Sequence, residues 1–506
     1  MKKIIIISAV LLGLVTTSCN NYLDINQDPN SPSEGNITSS MLMPGAEMNL
    51  AGSYGCFLRI AGGFHSQHYT QQFGSSNYLD FSQFQMTPTR SNDSYDQLTS
   101  HALKNLETIR TKSSAAEDWG TYLAATTLRA FIFQVMVDTY GEFPYTEALN
   151  SDNTSPKYDD GQTIYTGILA ELDDALGKAK ATDVVCTNFL FPSAKADSWI
   201  KFAKALKLKI LMRESNVDDV KTQLTSLVNE NDFPTADVAY KDCWANESGS
   251  YNPYFAEEFS TSGKATNNVI ANLSIIGTMQ LTNTSGDIKY TDPRLSKFFS
   301  TNASGNYTGG LSGTNFSTTK TYNATYWCRP NIVYNTPVYL LTVSEIEFFK
   351  SEYYARYGTA ADAESHYKSA ISASFESAGV SDVESNVAEY LKYFPYDNAN
   401  YKKSIGIAKW VALSGVNNFE SWCEMRRLDF PAFGSKKGSD FYDNSKDASF
   451  NVSSYVAGTL YTPIQVYGQV GDNKLLERYP YAEHSSARNS NTPDFPGYTS
   501  PVFWGK

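Results

Sequence analysis

No uninterrupted run of apolar residues in this 506-residue chain reaches the roughly 20 needed to span a bilayer as a helix. No lysine- or arginine-rich run stands out, and the net charge is −12. That balance argues against nucleic acid as a partner, since nucleic acid rewards a basic footprint. CxxC does not occur, and the six cysteines, at 19, 56, 186, 243, 328 and 423, lie far apart. Zinc ribbons and thioredoxin-like redox chemistry are therefore unsupported. A chain of this size does not need disulfides, so mostly buried free thiols are expected, with one pair left open. HExxH, GxSxG and the P-loop are absent too, which removes the motif support for zincins, esterase-type nucleophiles and P-loop NTPases. No catalytic residue and no metal ligand is assigned. His65 and His68 in "GGFHSQHYTQQ" could share a helical face, but no third ligand is near, and they read as structural.

What is present begins at the N-terminus. Lys2 and Lys3 precede an apolar run from Ile4 to Val15, then Thr16, Thr17, Ser18 and Cys19. Basic residues, a short apolar stretch and small residues make a secretory signal. A cysteine directly after them is what the bacterial lipoprotein pathway acylates, so lipidation is expected at Cys19. Thr16 stands where such signals usually carry leucine. Residues 1–18 are then the signal peptide and 19–40 a lipid-anchored tether. More than one acyl chain gives stable membrane anchoring, and without a basic patch the lipid must do it alone. In "DINQDPNSPSEG", Asp24, Asn26, Asp28 and Asn30 alternate like the start of an EF-hand loop. Pro29 and Gly35 stand where such a loop needs Gly and Glu, so the motif fails. Asx turns explain the stretch better; a looser structural calcium stays open, and otherwise no cofactor is expected.

Residues 41–506 are too many for one ordinary compact core, but a helical stack can grow to that length. The helices announce themselves by period. Trp119, Leu123, Thr126, Ala130, Phe133 and Val137 recur in steps of four and three, which predicts one apolar face, with Gly141 as terminator. A second helix follows in "GQTIYTGILAELDDALGKA". Trp199, Phe202, Leu206 and Ile210 predict another, with Lys201, Lys204 and Lys207 toward water. Thr342 and Glu345 have capping-box spacing. Ile346, Phe349 and Tyr353 then form one face, Gly358 a break, and Ala363, Tyr367, Ala370, Ile371 and Ser374 a second face. Two helices in about 34 residues with interlocking small and aromatic side chains is the tetratricopeptide style. One further helix is predicted over "IGIAKWVALSGVNNFESWCEMRR". The fold class is mainly α: a tetratricopeptide-like helical scaffold with long loop-rich insertions.

Between about 231 and 337, and again after Phe433, Gly, Ser, Thr, Asn and Tyr displace the helical period. Loops on a rigid frame concentrate binding residues, and tyrosine, at 34 residues, suits wet contact surfaces. Two polar, aromatic stretches stand out. "SSNYLDFSQF" offers Asn77, Tyr78, Phe81 and Phe84; "NATYWCRPNIVYN" offers Tyr326, Trp327, Arg329, Asn331 and Tyr334. Rings give tolerant contact area, while amides and the guanidinium give directional hydrogen bonds. These nine residues are the candidate ligand-binding set.

Several stretches in order resemble the SusD/RagB family of outer-membrane lipoproteins: "CNNYLDINQDPNSP", "FQVMVDTYGEFPYTEAL", "TDPRLSKFF", "TPVYLLTVSEIEFFKSEYYARYG", "AKWVALSGVNNFESWCEMRRLDFP" and "ERYPYAEHSSARN". The resemblance spans essentially the whole chain and looks closest to the SusD-like branch with peptide and fructan binders. It implies a single helical domain with a loop-rich insertion and no chemistry of its own. It implies capture of an oligosaccharide or oligopeptide at the cell exterior and delivery to a SusC-like TonB-dependent transporter, on which the protein sits as a lid. The alternative is a surface-anchored hydrolase of glycans or peptides, because carboxylates are plentiful and spacing cannot exclude a glycosidase pair.

Overall fold

The computed structural model describes residues 36–505 apart from 151, 193–194, 261–267, 315–324 and 443–453. The signal peptide, Cys19, the acidic stretch from Asp24 to Gly35 and most of the tether lie outside the described residues.

Roughly half of the chain is helical. The longer helices carrying the scaffold are α1 Ser39–Gly52, α2 Arg59–His65, α3 Lys104–Ala115, α4 Trp119–Tyr140, α5 Gly161–Lys178, α6 Asp197–Glu214, α7 Lys221–Glu230, α8 Val343–Tyr357, α9 Ala360–Ser377, α10 Val383–Tyr393, α11 Tyr401–Leu413 and α12 Asn418–Leu428. Consecutive helices pack as pairs: α4 on α5, α6 on α7, α8 on α9, α11 on α12. This is the tetratricopeptide-like arrangement. Shorter helices are given by their ranges.

Local signals act as expected where the chain's own neighbours decide them. Asp118 caps α4 by accepting from the Thr121 N–H, and Gly141, at φ +87°, ends it. The Thr342–Glu345 capping box forms in both directions. The faces of α8 and α9 are buried, and Tyr367 is 1% exposed. Lys201 and Lys207 pair with Asp197 and Asp173, and Lys204 with Asp232 and Glu230, on the wetter side of α6.

Two expectations need correction. α4 is buried all round, including Arg129, Gln134 and Asp138, rather than on one face. It runs through the middle of the scaffold, with α1, α3, α5 and α6 against it. Among the described residues it is the only helix long and apolar enough to cross a bilayer, and its burial makes it a core element. The helix predicted over 405–427 is two helices. Gly415, at φ +70°, turns the chain, and Asn417 caps α12 by accepting from the Glu420 N–H.

The core also holds charges. Lys209 Nζ lies 2.9 Å from Glu420, and Arg213 pairs with Glu420 and Asp138. Lys409 reaches Glu424 at 2.9 Å, and Arg427 bridges Glu424 and Glu352. These four cations and four carboxylates tie α4, α6, α8, α11 and α12 together, all fully buried or nearly so. Near-complete pairing is the condition under which buried charge is tolerated. Asp138 also accepts from Tyr165 Oη at 2.5 Å and Trp504 Nε1 at 2.8 Å, which pins the chain's end to the core.

Among the described residues, eight short strands form four two-stranded sheets: β1 Tyr69–Gln71, β2 Val238–Tyr240, β3 Val269–Ala271, β4 Gln280–Thr282, β5 Ile288–Thr291, β6 Val338–Leu341, β7 Phe433–Lys437 and β8 Leu460–Thr462. β1 pairs with β3 antiparallel, Tyr69 opposite Ala271, and β2 with β6. β4 pairs with β5, and β7 with β8 in parallel. The described residues between 231 and 337 form short strands, turns and short helices. β1–β3 fastens this region to the N-terminal helices, and β2–β6 returns it to the start of α8.

Candidate functional site

The two stretches singled out from sequence are linked through neighbouring residues and a third segment. Phe73, just before the first, packs on Trp327 with ring centroids 4.7 Å apart. Tyr78 Oη donates to Glu258 Oε1 at 2.6 Å. The Arg329 guanidinium lies 4.7 Å from the centre of the Phe259 ring. Residues 257–259 thus bridge stretches some 240 positions apart in sequence.

Their side chains play different parts. Phe81 and Phe84 are each 1% exposed and Trp327 2%. Phe81 stacks with Tyr78 and meets Phe57 and Phe64 edge-on. These rings fasten the insertion to the helices, and in this structure their faces are covered by protein. Burial, aided by Glu258, pushes the Tyr78 hydroxyl well above its ordinary range. Arg329 is half-buried, and burial lowers its pKa. Its Nε and Nη2 have no hydrogen-bond partner among the described residues. Asn77 is exposed, and its carbonyl accepts from Arg90 at 2.7 Å. Asn331 is exposed as well but lines a separate, smaller hollow with Lys297, Thr336 and Tyr339. Tyr334 is half-buried, and its backbone carbonyl accepts from Asn252 at 2.7 Å. Asn323 and Ala324 of the second stretch lie outside the described residues.

Of the set, Tyr326 is the half-buried residue that lines a larger cavity, with Trp327 also in its wall. It stands edge-on to Trp327, centroids 4.9 Å apart. Together with Tyr307, Tyr455, Gln280, Thr282 and Thr308 it lines a hollow of about 220 Å³. Gly277 forms its back. A Cβ there would sit 2.5 Å from the Tyr455 ring, so only glycine lets that ring lie against the short helix Leu273–Met279. Tyr455 is held by its hydroxyl, 2.7 Å from the Thr459 carbonyl and 3.0 Å from that of Ser274. Tyr307 and Tyr455 lie outside the two aromatic stretches, so composition did not mark them.

Three half-buried tyrosines beside amide and hydroxyl groups make a non-ionic, partly apolar surface. It can stack a flat ring face and exchange hydrogen bonds at that ring's edge. Among the described residues no cluster of three or more His, Cys, Asp or Glu could hold a metal. His65 and His68 are structural. Burial pushes both down to about 3, His65 sits 3.2 Å from Tyr479 Oη, and His68 sits 3.1 Å from Asn418 Oδ1. Cys186, Cys243, Cys328 and Cys423 are free thiols.

No curated protein matches the chain significantly. Solved structures do. A SusD homologue from Bacteroides uniformis superposes with TM-score 0.69 at 21% identity, covering 91% of this chain and 98% of that one. A chitin-binding SusD homologue from Flavobacterium johnsoniae gives 0.69 at 18% identity, covering 91% and 98%. A SusD/RagB family protein from Bacteroides thetaiotaomicron gives 0.69 at 19% identity, covering 93% and 99%. At such identities the likeness shows a shared fold. The family model SusD-like, described as starch-binding and associating with the outer membrane, matches residues 29–448. With most of its length inside that match and this fold around it, the chain belongs to the SusD/RagB family.

Proposed function

We propose that this protein captures a neutral glycan oligomer at the outer membrane and hands it to a SusC-like TonB-dependent transporter, without cleaving it. The observation that carries the reading is the tyrosine-lined hollow around Tyr326, Tyr307 and Tyr455. Sugar rings present flat apolar faces bounded by hydroxyls, which suits rings flanked by amides and hydroxyls better than a charged site would. Two solved relatives are described as chitin-binding, and the family description names starch; chitin, of N-acetylglucosamine, and starch, of glucose, are both neutral polymers. Lipidation at Cys19 would hold the protein at the membrane, and a hinged position over the transporter follows from the family resemblance. Arg329, Asn331, Tyr334 and Asn77 would contact outer portions of a longer ligand.

The experiment is a glycan array probed with lipid-free protein. Retention of neutral polysaccharide fragments, lost on Tyr326→Ala and with no shortening of the fragments, is the expected result. Retention of none, or cleavage of those retained, would contradict the reading.

A further inference from the structure

A larger cavity, of about 410 Å³, opens elsewhere in the molecule and shares no residue with the tyrosine-lined hollow. It falls within the range of about 300–1,000 Å³ typical of small-molecule sites. Two of the stretches that stood out in sequence meet there. "YGEFPYTEAL" supplies one wall, and "ERYPYAEHSSARN" supplies another.

The remaining wall is built by an irregularity. Between Asn92–Asp96 and α3, residues Gln97–Leu103 form a π-helical turn. Such turns are rare and recur at functional sites. This one presents Thr99, Ser100 and Leu103 to the cavity. Opposite stands Leu149, held at φ +62°, a left-handed conformation uncommon for a bulky side chain. Backbone strain of this sort tends to gather at ligand-holding positions.

The floor is apolar: edges of Leu103, Phe133, Phe143, Pro144 and Leu149, with the Tyr95 ring beside them. The rim is charged. Arg488 and Lys104 are exposed there, and neither has an ion-pair partner among the described residues. They give one side of the opening a positive character. Asp96 is also present, but it accepts from His484 Nδ1 at 2.7 Å. With that carboxylate on the wall, a singly charged anion is favoured over a dianion.

We propose that this cavity is a second binding site, for a small amphipathic carboxylate. Its aromatic or branched apolar body sits on Leu103, Phe143 and Leu149, and its carboxylate faces Arg488 and Lys104. Neutral sugars gain little from such a floor and nothing from the two cations, so this ligand differs from the glycan proposed above.

The test uses the chain with Cys19→Ala, so that it stays lipid-free, titrated with phenylacetate, phenylacetamide and phenethylamine and followed by ligand-observed NMR. Phenylacetate is expected to bind, and the amide and amine to bind about tenfold more weakly, the scale of one charge-assisted hydrogen bond. Arg488→Gln should cost phenylacetate about the same factor, and Ser100→Trp should block the cavity. Both positions are exposed, so folding is spared, and glycan retention should be unchanged in both variants. The proposal is overturned if phenylacetate does not bind. It is equally overturned if the amide matches it, or if both variants bind it as wild type does.

Discussion

Arg427 of α12 holds Glu352 of α8 through two hydrogen bonds, Nη1 to Oε1 at 2.8 Å and Nη2 to Oε2 at 2.5 Å, with both side chains entirely out of water. Burial alone would raise the Glu352 pKa, but Arg427 overrides it and holds the carboxyl below its usual range. Arg427→Met leaves Glu352 and Glu424 short of a counter-charge in the core. The expected loss is about 3–5 kcal/mol, the scale for breaking a buried pair from one side. The double variant Glu352→Leu with Arg427→Met should lose less than the single one. Urea unfolding measures both together with Glu352→Leu alone, and a double-variant loss equal to the sum of the two single losses would mean that the pair is not coupled.

Tyr367 tests the helix pairing. It is 1% exposed, meets Phe348 edge-on at 6.1 Å, and donates to the Phe394 carbonyl at 3.0 Å. Tyr367→Ala should cost roughly 3 kcal/mol or more, as large aromatic truncations do. A change within about 0.5 kcal/mol, typical of surface sites, would contradict the packing of α8 on α9.

The fold should weaken as pH rises toward neutrality. Burial pushes Glu47, Glu214 and Glu477 each up to about 7 and raises Glu345 as well. Their ordinary value is 4.5, so between that value and about 7 the folded state binds more protons than the unfolded chain. Stability from these groups is full below 4.5 and lost as pH rises through 7. His65 and His68, buried and neutral, act oppositely below their ordinary 6.5, but four glutamates outweigh two histidines. Thermal unfolding should occur at a higher temperature at about pH 5.5 than at about pH 7.5, and Glu477→Gln should shrink that difference. A midpoint that rises with pH over this interval would contradict the assignment.

Cys19→Ala should release the protein from membranes, since the net charge of −12 offers no attraction to anionic lipid. Fractionation in cells lacking the transporter checks this. A variant that still sediments with outer membranes would show that the anchor is elsewhere.

Much of the scaffold was legible because short-range rules decide it. The Thr342 capping box, the Gly141 stop and the α9 face need only residues within a turn or two. The buried charges were not legible in that way. A period shows which residues share a face, not what comes to meet that face from another helix. One signal was there. Lys209 and Arg213 lie on the apolar side of α6, seven and eleven positions after Phe202, away from the lysine stripe. The split of α11 from α12 was also written locally, in Gly415 and in Asn417 followed by Glu420.

The site was half legible for a related reason. Composition marked both aromatic stretches, and the fold brings them together through Glu258 and Phe259. Which rings face outward depends on contacts distant in sequence: Phe81, Phe84 and Trp327 are almost fully buried, and of these Trp327 alone lines the hollow. Tyr307 and Tyr455 enter the hollow only because Gly277 lets a distant loop approach.

The most direct measurement is calorimetric titration of lipid-free protein with chitin and starch oligosaccharides, repeated with Tyr307→Ala combined with Tyr326→Ala. Phe189→Ala serves as control, at a ring 39% exposed and outside the hollow. Glycan capture at the tyrosine-lined hollow predicts saturable binding that falls at least about tenfold in the double variant, from loss of ring stacking and its hydrogen bonds, and is unchanged in the control. Equal affinity in the wild-type and the folded double variant would contradict it.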